Sequence, residues 1–141
     1  MSNMASEPCG AATVLVVDDE PAVRELFARV LPGEGYRVVT AASGSEAVAV
    51  ALRVRPELML LDLAMPGMDG VAALRELRRL GHQGAVVVLT ARATVSSARE
   101  TMLLGAFEYL SKPFDLDLLT SVLRQAIEEI RDGARAEQCA S

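Results

Sequence analysis

Five short runs rich in Val and Leu constrain this chain more than any other feature: Thr13 to Val17, Arg37 to Ala41, Leu58 to Leu61, Ala85 to Leu89 and Phe107 to Leu110. Each is followed by a helical pattern. Short, mostly unbroken apolar runs mark strands buried on both faces, whereas strict alternation would mark a half-solvated sheet. Pro21 stands where a first helical residue belongs, with Leu26, Phe27, Val30 and Leu31 on one face and Pro32, Gly33 and Gly35 as terminators. Ser43 and Glu46 have capping-box spacing ahead of Ala47, Val48, Ala51 and Leu52. Asp69 is placed to cap a third helix carrying Val71, Leu74 and Leu77, with Gly81 past its end. Asp115 does the same for a last helix whose Leu118, Leu119, Val122, Leu123, Ala126, Ile127 and Ile130 keep helical spacing. Residues 94–104 are the weakest helix, since Thr94, Val95, Ser96, Ser97 and Thr101 are poorer helix formers than Ala or Leu. Low local stability and mobility are expected there.

Strands alternating with helices define the α/β class and predict a five-stranded parallel sheet flanked by five helices. Right-handed crossovers that cover both faces require the strand order to reverse, giving 2-1-3-4-5, the flavodoxin-like doubly wound arrangement. In such a sheet ligands bind beyond the carboxyl ends of the strands, where the order reverses between strands one and three.

A chain of 141 residues fits one domain. The reading places that domain at 12–132, between an N-terminal tail, 1–11, and a C-terminal tail or linker, 133–141. Hydrophobic residues make up 51%, but charges interrupt every apolar stretch before it reaches the about 20 residues a membrane helix needs. The first apolar stretch has no basic region before it and ends at Asp18 and Asp19, unlike a secretory signal, so a cytoplasmic location is expected. Cys9 and Cys139 lie in opposite tails without metal-ligand spacing and read as free thiols. A net charge of −5 argues against direct nucleic-acid binding, which relies on clustered Lys and Arg.

The polar residues that matter fall at strand ends. Asp18 and Asp19 follow the first strand, Asp62 the third, Thr90 the fourth and Lys112 the fifth. Lys112 is the only lysine, the other thirteen basic residues of the fourteen being arginine. A compact ammonium retained at one place in so Arg-biased a chain points to a chemical role. Three crowded carboxylates repel one another unless a cation compensates them. With no His or Cys near, oxygen ligands favour Mg²⁺ or Mn²⁺, and magnesium characteristically adds phosphate oxygen to one or two carboxylates. A carboxylate can attack phosphorus to form an aspartyl phosphate. Asp62 is the candidate nucleophile, because the following loop, with Pro66, Gly67 and Gly70, leaves it open. Lys112 offers a point charge and Thr90 a hydroxyl for the phosphoryl oxygens.

The stretches VLVVDDEP (14–21), LMLLDLAMPGMDG (58–70), VVVLTA (86–91) and EYLSKPF (108–114) occur in one order, and the chain resembles the receiver domain of bacterial two-component response regulators over residues 12–131. The resemblance implies that Asp62 accepts a phosphoryl group from a phosphohistidine on a sensor kinase or phosphotransfer protein. Asp19 would bind Mg²⁺ directly, Asp18 through water, and the backbone carbonyl of Ala64 would complete the metal shell. A cis peptide before Pro113 is expected on the same ground, as are switch roles for Thr90 and Tyr109 acting on the face formed by the fourth helix, fifth strand and fifth helix. That face would serve partners, an effector or a homodimer. Such a domain catalyses only its own phosphorylation and dephosphorylation. Ala64 and Arg92, each two residues past a site residue, would line the path of attacking water.

Other classes fit less well. A dehalogenase-type phosphatase would resemble this pattern with a second acid where Ala64 stands. A flavodoxin-like cofactor binder would place a hydroxyl- and glycine-containing loop after strand one, where DDEP repels phosphate. Neither GxGxxG nor GxxxxGK[ST] occurs. The competing reading is a phosphorylation-independent, receiver-like interaction module. His82, between Gly81 and Gly84, is expected in solvent, and Arg75, Arg78 and Arg79 are expected to form a solvated helix face.

Overall fold

A computed structural model describes residues 11–140, the side chains of 134–140 excepted. Cys9 and nearly all of the expected N-terminal tail lie outside the described residues, as does the side chain of Cys139. Strands β1 (Thr13–Val17), β2 (Arg37–Ala41), β3 (Leu58–Leu61), β4 (Ala85–Thr90) and β5 (Glu108–Ser111) form one parallel sheet in the order β2-β1-β3-β4-β5. Helices α1 (Pro21–Val30), α2 (Gly44–Val54), α3 (Gly70–Arg79), α4 (Val95–Leu103) and α5 (Leu116–Ala140) follow the strands in turn. The order matches the sequence expectation, with β4 one residue longer and β5 shifted one residue onward.

Two cores lie on opposite faces of the sheet, divided by the strict alternation of a strand. Leu15, Val17, Met59, Leu61, Val86 and Val88 point to one side, against Ala47, Val50 and Ala51 of α2 and Leu74 and Leu77 of α3. Val14, Val16, Leu58, Leu60, Val87 and Leu89 point to the other, against Phe27 of α1 and Leu119, Leu123, Ala126 and Ile127 of α5. Each fully buried Leu or Phe contributes roughly 1.5–3 kcal/mol, so both faces of the central strands are clamped. Phe27 also stacks on Phe114 with ring centroids 5.6 Å apart, tying α1 to the segment after β5.

The helix signals act as expected, with refinements. Pro21 opens α1, and a 3-10 turn at Leu31–Glu34 with Gly35 at φ +94° closes it. The Ser43 hydroxyl accepts from the Glu46 amide, while the Glu46 carboxylate reaches past Ser43 to the amide of Ala42. Asp69 caps α3 through the Ala72 amide, and Asp115 accepts from the Asp117 and Leu118 amides. The α4 segment carries a capping box between Thr94 and Ser97 that its weak propensities conceal. Thr101 is the one buried residue of α4.

The last helix continues through Gly133 to Ala140, over the residues read as a C-terminal tail or linker. One glycine costs a helix only about 1 kcal/mol, and the following Ala, Arg, Glu and Gln are good helix formers. The solvent position expected for His82 is corrected: it is buried, at 5% exposure, and among the described residues its Nε2 has no hydrogen-bond partner. The α3–β4 loop turns back on α3, the His82 amide donating to the Leu77 carbonyl, and the absent side chain of Gly84 makes room for the imidazole: a Cβ there would lie 2.7 Å from His82 Nε2 and 2.8 Å from the Pro56 carbonyl. Nor is Arg78 solvated. Its half-buried guanidinium donates to the carbonyls of His82, Gly84, Leu104 and Gly105, stitching the end of α3 to the turns before β4 and β5. Arg79 pairs with Glu76 on the surface, and Arg75 with Glu100 of α4.

Candidate functional site

The carboxyl ends of β1, β3, β4 and β5 bring the expected residues together. The β1 ladder ends as the Asp18 amide donates to the Ala41 carbonyl, and the Asp62 amide donates to the Val17 carbonyl, setting the two acids side by side. Oxygens of Asp18, Asp19 and Asp62 all lie within 4.8 Å of one another, with Asp18 and Asp62 buried and Asp19 exposed. Lys112 reaches across from β5: its Nζ is 2.7 Å from Asp18 Oδ2, 3.5 Å from Glu20 Oε1 and 4.0 Å from Asp62 Oδ2. The Lys112–Pro113 peptide is cis.

An open cavity of about 770 Å³ lies over these groups, lined by Asp19, Asp62, Ala64, Arg92, Ser97 and Lys112 among others. Gly70 stands between Asp69 and Val71, both of which line the cavity. A Cβ there would lie 2.4 Å from the Asp62 carbonyl oxygen, so only glycine lets the start of α3 pack onto the loop. Thr90 is fully buried at the end of β4 and its hydroxyl accepts from the Arg92 amide at 3.1 Å.

The electrostatics follow from burial. Desolvation raises the Asp62 carboxyl above the usual carboxylate range and the Asp18 charge adds to this, while the Ala64 amide, Lys112 and Thr90 oppose without cancelling it. For Lys112, burial alone would lower the ammonium, but the hydrogen bond to Asp18 and the charges of Asp18, Asp62 and Glu20 hold it above its ordinary value. Oxygens this close suit a small divalent cation, whose ligands sit at about 2.0–2.1 Å from Mg²⁺ and hence about 4 Å apart across it. The all-oxygen donor set fits Mg²⁺ or Mn²⁺. Asp18, Asp19 and Asp62 could hold the ion, with Ala64 on the same cavity wall.

Tyr109 is half-buried, and its hydroxyl lies 2.5 Å from Ser97 Oγ and accepts from the Thr94 amide at 3.2 Å. It therefore joins β5 to the start of α4. The sequence reading did not single out Ser97, nor Arg24, whose guanidinium donates to the Asp18 carbonyl at 2.6 Å. A signal for Arg24 exists: a cation at the fourth residue of a helix opposes the helix dipole and calls for another reason to be there.

The fold and the site define a class: a doubly wound α/β protein with an acidic site at the switch point of its sheet. The family model for the response regulator receiver domain matches residues 14–124, and the chain belongs to that family, the receiver domains of bacterial two-component systems, in which phosphorylation and Mg²⁺ binding are typical. It is 39% identical over 127 residues to the response regulator MprA of Mycobacterium leprae, covering 90% of this chain and 56% of that protein. It is 34% identical to the sporulation initiation phosphotransferase F of Bacillus subtilis, covering 79% of this chain and 90% of that one. Against the regulatory protein AtoC of Escherichia coli K12 the identity is 36%, and the match spans only 25% of AtoC. Among solved structures, the receiver domain of a LuxO repressor protein from Vibrio parahaemolyticus superposes with a TM-score of 0.84 at 25% identity, covering 89% of this chain and 97% of that one. The chain thus spans between a quarter and about half of the longer relatives it matches.

Proposed function

We propose that Asp62 accepts a phosphoryl group from a phosphohistidine of a sensor kinase or phosphotransfer protein, in a reaction assisted by Mg²⁺ held by Asp19, Asp62, the Ala64 carbonyl and, through water, Asp18. The observation that carries this reading is the meeting of three carboxylates within 4.8 Å, with the Lys112 ammonium 4.0 Å from Asp62. A bound Mg²⁺ would supply positive charge for the phosphoryl oxygens and relieve repulsion among the acids. An Asp62 carboxylate oxygen forms the new bond to phosphorus as the bond from phosphorus to the donor imidazole nitrogen breaks, and the electron pair leaves with the imidazole. Lys112 turns from Asp18 to a phosphoryl oxygen, and Thr90 presents its hydroxyl to another.

The output proceeds through Thr90 and Tyr109. Withdrawal of the Thr90 hydroxyl from the Arg92 amide reshapes the β4–α4 loop, and Tyr109 alters its hold on Thr94 and Ser97. The α4/β5/α5 face would carry the signal to a partner, an effector or a second copy of the chain. Its exposed Val95 and Leu103, at 79% and 81%, support an apolar contact there. The domain would work in the cytoplasm over residues 12–132, with no chemistry beyond its own phosphorylation and dephosphorylation. Labelling by a small phosphodonor tests the central step: it should require Mg²⁺ and vanish in Asp62→Asn. A wild type that takes no label under these conditions would favour the phosphorylation-independent interaction module.

A further inference from the structure

Asp18 is fixed at four points. Its amide donates to the Ala41 carbonyl, Oδ1 accepts from the Glu20 amide at 2.9 Å, Oδ2 accepts from Lys112 at 2.7 Å, and its carbonyl accepts from Arg24 Nη1 at 2.6 Å. The fourth contact replaces a missing sheet bond. In the parallel register that pairs Val17 with Ala41, the next donor for the Asp18 carbonyl would be the Ser43 amide. By then the chain of β2 has turned into α2, with the Ala42 amide taken by Glu46 and Ser43 acting as helix cap. A half-buried guanidinium from α1 occupies the vacated place.

We infer that Arg24 is a positioning residue for the cation site: it holds the Asp18–Asp19 peptide plane, and thereby the direction in which Asp19 presents its carboxylate. Asp19 is exposed and follows the last ladder bond of β1, so its own side chain has little around it to fix the backbone. A charged donor on the preceding carbonyl supplies that constraint, and a hydrogen bond to a charged group is among the stronger kinds. This role rests on the reading of the site as a Mg²⁺-assisted phosphoacceptor.

The sign of the effect separates positioning from charge. Removing a cation near the acids would by itself tighten Mg²⁺ binding, whereas losing an outer support of a metal ligand typically weakens it about 10–100-fold. Calorimetric titration with Mg²⁺ should show Arg24→Met binding about tenfold more weakly than wild type, with Arg24→Lys, which keeps a donor, closer to wild type. Arg29→Met, which removes an exposed charge from the same helix, should leave the affinity unchanged. Without metal, the amide of Asp19 should exchange faster in Arg24→Met than in wild type. Unchanged or tighter Mg²⁺ binding together with unchanged Asp19 exchange overturns the role. A wild type that neither binds Mg²⁺ nor takes label overturns the functional reading instead, and the metal-free exchange then still decides whether Arg24 holds the peptide. Should Arg24→Met fail to fold, Arg24→Ala, which also removes the donor, carries the same comparison.

Discussion

Lys112 donates to Asp18 at 2.7 Å and stands 4.0 Å from Asp62, so of the two buried carboxylates the ammonium rests on Asp18. In the proposed reaction, lysine and a divalent cation would compete for Asp18 until a phosphoryl group drew the lysine away. The single lysine is a counter-ion of Asp18 and, on the proposed reading, would be a donor held in reserve.

That competition is measurable. Two unit charges about 4 Å apart interact by about 1 kcal/mol in water and about 4 kcal/mol near a protein surface. At the lower figure Lys112→Met should bind Mg²⁺ about fivefold more tightly than wild type, while its yield of phosphorylated protein falls. Equal affinities in calorimetry would show that the lysine does not contest the site.

Asp62 makes the metal-free protein sensitive to pH. A carboxyl whose folded pKa is raised binds its proton more readily when folded, so that contribution is complete below its ordinary value of 3.8 and is lost as the pH climbs through the raised one. Urea unfolding in the presence of a chelator should show wild type losing stability relative to Asp62→Asn across that rise, then a constant gap. A gap independent of pH throughout would contradict the electrostatic description of the acceptor.

His82 predicts the opposite slope. Burial lowers its pKa below the ordinary 6.5, and the charges of Arg78 and Arg55 add to this. The neutral ring suits the fold, so the contribution is complete above pH 6.5 and is lost as the pH falls through the lowered value. Relative to His82→Gln, wild type should lose stability on acidification through this range; parallel stability curves would count against it.

Among the described residues Arg78 binds only main-chain carbonyls, four of them. Hydrogen bonds to charged groups contribute about 1.5–3 kcal/mol, and Arg78→Met should cost about 2 kcal/mol on that scale in chemical denaturation. Its rate of labelling by a phosphodonor should match wild type, because Arg78 lies at the far end of α3.

Arg92 is exposed at the rim of the cavity, and its amide, not its side chain, contacts Thr90. Among the described residues its guanidinium has no hydrogen-bond or ion-pair partner, and in the proposed reaction it would screen the phosphoryl group from water. Arg92→Ala should alter the lifetime of the phosphorylated protein several-fold while labelling stays near the wild-type rate, and an identical decay would remove the side chain from the hydrolytic path.

The fold was legible because apolar runs, caps and terminators agreed with one another. Asp18, Asp62, Thr90 and Lys112 could be placed together because each lies at or just past the carboxyl end of a parallel strand, so one inference about strand order located all of them. Local composition misled where burial was decided by distant chain. Gly81 and Gly84 made His82 look solvated, although Gly84 is the space into which the ring fits. Arg78 and Arg24 bind carbonyls, which every residue possesses, so no complementary acid betrayed them. The hydroxyl pairing of Ser97 with Tyr109 joins residues that only β5 and α4 bring together.

The anchoring of α4 is lopsided. Arg78 grips the carbonyls of Leu104 and Gly105 just beyond its last turn, whereas its first turn is tied to the sheet by the Tyr109 hydroxyl and buries no side chain before Thr101. A rod held more firmly at one end swings, so a displacement that released Tyr109 would be a rotation about Leu104 with its greatest travel at Val95. Leverage of this kind would turn an ångström-scale rearrangement at one hydroxyl into a larger sweep of an oily side chain across the surface.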